Sequence, residues 1–172
     1  MKPAIQKNIL QRYNPDDTMF ELINIKTLPQ CLSSKTPALA ELKRDSGEEK
    51  VLTLLEMWIL DVNKFFNMNN KMSPVQIKQT ALMVLQDFYY FKIADINYLF
   101  TQAKKGKYGE MYGSLDGSKI YRWFESHDIE RSEEKYFNSL KQHDIEMQNE
   151  RNAKVLDNLP DRIKCKIRNI GK

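Results

Sequence analysis

Apolar residues recur every three or four positions through the middle of the chain, and that spacing predicts helices. From Glu48 to about Asn67, Val51, Leu54, Leu55, Trp58, Val62, Phe65 and Phe66 line one face. Leu52, Ile59 and Leu60 widen the stripe, which marks a central helix. A second pattern starts at Ser73-Pro74-Val75-Gln76, where serine caps, proline fits the first turn and glutamine closes a capping box. Ile77, Ala81, Val84, Leu85 and Phe88 follow on one face. A third runs from Ile93 to Lys105 with Ile96, Leu99, Phe100 and Ala103 inward, and Gly106 is placed to end it in a left-handed turn. Thr36-Pro37 predicts the start of a shorter helix that carries Ala38, Leu39 and Leu42 and ends at Ser46-Gly47. After the next turn, Asp116 or Ser118 caps a helix with Ile120, Trp123 and Phe124. Beyond Asp128 the pattern becomes long, charged and sparsely apolar, with Tyr136, Leu140, Ile145 and Met147 as a weak stripe.

These elements predict an all-α fold: an orthogonal bundle of four to five helices, a long charged C-terminal helix and extended terminal arms. The expected divisions are an N-terminal arm over 1–35, a helical core over 36–128, a charged helix over 129–160 and a basic tail over 161–172. Pro3, Pro15 and Pro29 interrupt the first of these, and Met19–Ile25 is its one strand-like run. Trp58, Phe65, Phe88, Phe100 and Trp123 are the expected large packing residues.

The totals narrow the class. No window nears the roughly 18 apolar residues of a membrane span, and the first residues lack a signal peptide's apolar stretch. A cytoplasmic location with no membrane partner is therefore expected. Cys31 and Cys165 sit near opposite ends, a spacing that implies no disulfide framework. The net charge of +4 permits nucleic-acid contact without demanding it.

Chemistry concentrates between Gly106 and Gly117, where four of the six glycines fall. No Gly-Lys-Ser or Gly-Lys-Thr follows, so a phosphate-binding loop of the nucleotide-hydrolase kind is not expected. Two readings remain. In one, the glycines permit a turn and Tyr108 and Tyr112 fold back on the core. In the other, Lys104, Lys105, Lys107, Lys119 and Arg122 neutralise phosphates while Tyr108 and Tyr112 offer faces to unstacked bases. The basic tail adds Arg162, Lys164, Lys166 and Arg168, with Ile163, Ile167 and Ile170 at helical spacing. That tail suits phosphates, an acidic surface or a partner's groove.

Catalytic signals are weak. His127 reads as a helix-end residue and His143 as a solvated one, neither with a second ligand at metal spacing. Cys31 has no adjacent base to activate it. No catalytic residue, metal or cofactor is assigned, and no enzyme is expected.

The run Ile93-Ala94-Asp95-Ile96, Phe100, Gly106-Lys107-Tyr108-Gly109, Tyr112, Leu115-Asp116-Gly117, Ile120, Trp123 resembles a pattern in small α-helical proteins of gut Bacteroidales and their phages or mobile elements. The resemblance covers residues 36–131 and includes Met72-Ser73-Pro74 and Gln76-Ile77. It implies a setting, namely an accessory role in replication, helicase loading or regulation of host machinery, and transfers no site residue. The function expected is a non-enzymatic accessory protein that binds single-stranded DNA or RNA, or a replication or host protein. The alternative is a protein–protein adaptor that uses the long helix and the N-terminal arm.

Overall fold

Pro15 and Pro29 start helices rather than interrupting the chain. The computed structural model describes residues 8–66, 68, 70–109 and 113–157. Among these, the helices are α1 (Ile9–Arg12), α2 (Pro15–Glu21), α3 (Leu28–Ser33), α4 (Leu39–Ser46), α5 (Glu48–Phe65), α6 (Pro74–Asp87), α7 (Ile93–Lys104) and α8 (Gly117–Asp157), and the described residues form no strand. The all-α class is as expected. None of the helices is long and apolar enough to cross a membrane.

The expected arm is corrected over its described part. Asn14 accepts a hydrogen bond from the Asp17 amide (2.9 Å), Pro15 takes the first turn, and Asp16 and Asp17 face the helix's positive end. Those local signals outweigh the strand-like composition of Met19–Ile25, and Met19 and Phe20 lie on a helix, both exposed. The described residues up to Arg131 fall in one compact unit, so the boundary at 35 is not a boundary in the structure. Tyr13 is buried in the core cluster, and its carbonyl accepts the Trp58 indole N–H (3.0 Å). The start of α4 is corrected too. Thr36 does not cap it; its hydroxyl oxygen instead accepts the Ala94 amide (3.0 Å). Glu41 reaches back to the Ala38 amide (3.0 Å), and the helix begins at Leu39.

Helices α5, α6 and α7 begin and end close to where the pattern put them. Ser73 and Gln76 form their capping box, with the Ser73 amide 2.8 Å from Gln76 Oε1. Gly106 has φ +83 and donates its amide to the Ala103 carbonyl (2.9 Å), a conformation that side chains resist. Phe65 is corrected from core to surface, at 55% exposure, with the Lys104 ammonium 5.3 Å from its ring centroid. Because α5 stops there and the backbone turns extended, Phe66 points to Trp123 instead (6.2 Å between centroids).

The division expected between residues 128 and 129 falls inside one helix, since α8 runs through it without interruption. Asp116 is the cap, accepting the Lys119 amide (2.9 Å). Residues of α8 up to Arg131 belong to the first unit; from Ser132 they belong to a second, on which Tyr136, Leu140 and Met147 are exposed.

Gly117 sits close against α6. A β-carbon there would fall inside contact distance of Thr80 Oγ1 on α6. Gly117→Ala is expected to cost about 1–2 kcal/mol of stability as α6 and α8 are pushed apart. In a Thr80→Ala background the same change is expected to become neutral or stabilising, since alanine has the better helix propensity. Urea unfolding of the four proteins reads this sign change, and equal costs in both backgrounds would refute the contact.

Candidate nucleic-acid interface

The cations that the sequence offered for phosphate contact separate into two groups. Lys107, Tyr108, Lys119 and Arg122 line one groove of about 510 Å³ together with Trp123, Ser126 and Glu130. On α8 the contributing positions 119, 122, 123, 126 and 130 recur at three- and four-residue steps, which places them on one face. The glycine turn after α7 brings Lys107 and Tyr108 opposite that face. Three cations and one carboxylate give the groove a positive excess.

Two of the three cations are held rather than free to sweep. Lys107 pairs with Glu130 (2.6 Å), and the Lys119 ammonium donates to the Ser114 carbonyl. Arg122 is exposed and has no ion pair among the described residues. Lys104 is outside the groove, paired with Asp61. Lys105 is exposed but does not line it. Tyr112 and the tail cations Arg162, Lys164, Lys166 and Arg168 lie outside the described residues.

Tyr108 does not stand free as a stacking face. Its ring lies on Trp123 at 5.8 Å between centroids and 18° between planes. Burial pushes its phenol well above the usual range, and its hydroxyl has no partner among the described residues. One of its faces is therefore already engaged, in line with the turn-and-fold-back reading. Tyr121, one turn into α8, donates its hydroxyl to Asp87 (2.6 Å), a bond that together with some desolvation lifts its pKa to about 12.

A second polar group was not legible in the sequence. Cys31, Asp95 and His127, from α3, α7 and α8, are all fully buried. The Cys31 thiol donates to Asp95 Oδ1 (3.3 Å), and His127 Nε2 is 3.1 Å from the same oxygen. Arg131 Nε is 3.0 Å from it as well, and the Lys92 amide donates to Oδ2 (2.8 Å). Lys92 also ties the arm down, its ammonium donating to the Leu32 and Ser34 carbonyls (2.9 and 2.7 Å). His127 is thus corrected from a helix end to the interior of α8.

The thiol, carboxylate and imidazole donor atoms lie within 4.8 Å of one another, a separation that suits a metal. The Arg131 guanidinium beside the shared oxygen argues otherwise, because a cation placed there would meet another at close range. Complete burial also keeps substrates from the three groups. Burial and the Asp95 charge push the Cys31 thiol far up, opposite to what a nucleophile needs. The donor set reads as a hydrogen-bonded clasp around one carboxylate. Burial by itself would raise the Asp95 pKa, but the bond to His127, the Arg131 charge and the Lys92 amide outweigh it and bring it down. The spacing of 64 residues from Cys31 to Asp95 leaves no local motif to read.

Comparison with protein-family models, curated proteins and solved structures gives no match.

Proposed function

We propose that this protein is a non-enzymatic accessory factor that binds nucleic acid through the groove between the glycine turn and the first turns of α8. The observation that carries the reading is the convergence of Lys107, Lys119 and Arg122 on one groove, although Lys107 lies 12 and 15 positions before the other two in the sequence. Lys107 and Lys119, fixed by carboxylate and carbonyl partners, lose little conformational entropy when a phosphate arrives. The resemblance supplies the proposed setting, phage or mobile-element replication or regulation in the cytoplasm. Single-stranded DNA or RNA, or a replication or host protein that handles it, is the proposed partner. The orthogonal packing of the helices is part of the same proposal.

Fluorescence anisotropy with labelled oligonucleotides at two salt concentrations tests it. Binding is expected to weaken steeply with salt, because phosphate neutralisation releases counterions. Lys119→Glu combined with Arg122→Glu is expected to lower affinity by at least about 10-fold at low salt, since two phosphate contacts become repulsive. Salt-independent binding, or a double variant that binds as well as the parent, would overturn the assignment.

A second reading rests on α8 itself. Tyr136, Leu140 and Met147 fall within an arc of about 40° and are 63%, 43% and 39% exposed. An apolar stripe of this kind serves protein contacts, as in an adaptor. Absence of nucleic-acid binding, with a mass in light scattering that rises with concentration, would move the function there.

A further inference from the structure

Beside the cationic groove lies a second cavity of about 360 Å³, between α6 and the start of α8, with mainly apolar walls. Its lining on α8 is Gly117, Ser118, Tyr121, Arg122 and Glu125, at steps of one, three, one and three residues. That set occupies one helix face, and the groove's set occupies a face turned by about 120°. Arg122 belongs to both. A ligand reaching from one space into the other therefore passes a guanidinium, and it needs an anionic part on one side and an apolar part on the other.

The polar groups of the slot are mostly spoken for. Thr80 Oγ1 donates to the Gln76 carbonyl (2.8 Å), Tyr121 to Asp87, and Gln76 Oε1 accepts the Ser73 amide. The Gln79 amide and the Glu125 carboxylate remain without hydrogen-bond partners among the described residues, and both are exposed at the rim. A carboxamide donates and accepts, and a carboxylate accepts from an exocyclic amino group. Apolar walls with such a rim fit the edge and faces of a nucleobase. The aromatic offered on the other side of Arg122 is occupied, since Tyr108 already lies on Trp123.

We propose that this slot receives one unstacked base of a single strand whose phosphates run along Lys107, Lys119 and Arg122. The proposal rests on the nucleic-acid reading above and adds to it the class of ligand. A duplex keeps its bases stacked and presents phosphates alone, so it gains nothing from the slot.

The probes are a fluorescein-labelled single-stranded 12-mer, the same strand with abasic residues, and its duplex. The intact strand is expected to bind roughly 10-fold or more tightly than the abasic strand and the duplex, in line with the value of one base contact. Met83→Trp fills the slot from an exposed position without adding charge, and is expected to bring the intact strand down to the abasic level. Equal affinity for the intact and abasic strands, with the salt dependence retained, would overturn the slot and leave the phosphate groove standing. No binding of any probe would overturn both.

Discussion

Replacing Asp95 by alanine is expected to lower the unfolding free energy by about 3–5 kcal/mol, because it leaves the buried Arg131 guanidinium with only the longer contact to Asp128 (3.8 Å). The expected fall in melting temperature is roughly 10–15 °C. Asp95 receives the Cys31 thiol, the His127 ring and the Lys92 amide and sits beside Arg131, so α3, α7 and α8 all lose a partner at once. Asp95→Asn keeps an acceptor for the Lys92 amide and is expected to cost less. Adding Arg131→Met to Asp95→Ala is expected to restore part of the loss, since the stranded charge is then removed. Thermal and urea unfolding of the set would measure this. A loss below about 1 kcal/mol for the alanine variant would show that the clasp is not what holds the three helices.

The same carboxylate gives a pH dependence with a definite sign. Its folded pKa is depressed, so its contribution is complete above the unfolded value of about 3.9 and is lost as pH falls through the folded value. Stability should therefore decline below about pH 4, and Asp95→Asn should remove that part of the decline.

Phe124→Ala is expected to cost about 3–5 kcal/mol as well, through a different mechanism. Phe124 is fully buried, with ring centroids of Phe88, Phe91 and Phe100 at 5.4, 5.8 and 5.8 Å. Alanine leaves a cavity where residues of the α6–α7 turn, α7 and α8 meet, and the rings around it are locked by one another. Phe124→Leu retains most of the volume and is expected to cost less than half as much. Urea unfolding separates the two, and equal costs would mean that the ring's contacts matter more than the space it fills.

Most of the helices were legible because their signals are local. The capping box at Ser73, the glycine stop at Gly106 and the stripe from Val51 to Val62 each lie within a few turns of one element. The N-terminal segment misled for the opposite reason. The apolar-rich run Met19–Ile25 resembled a strand, and prolines resembled breaks. Proline at the first or second helical position, after a capping asparagine or threonine, is a start signal, and those caps were present in the sequence at Asn14 and Thr27. The candidate groove was legible in part: the basic and aromatic residues could be named, but not which cations carboxylates would claim or that Tyr108 would lie on Trp123.

Helical periodicity and capping act over three to seven residues, so the all-α class, the helices of the middle of the chain and the residue types available for phosphate contact follow from local patterns. The rest follows from how the helices pack. That packing brought Cys31 to Asp95 and His127 from three separate helices, gathered Lys107, Lys119 and Arg122 while turning Lys104 away to Asp61, and moved Phe65 outward. Those outcomes depend on which faces meet across long sequence separations, where burial and charge pairing choose among partners that no local pattern ranks.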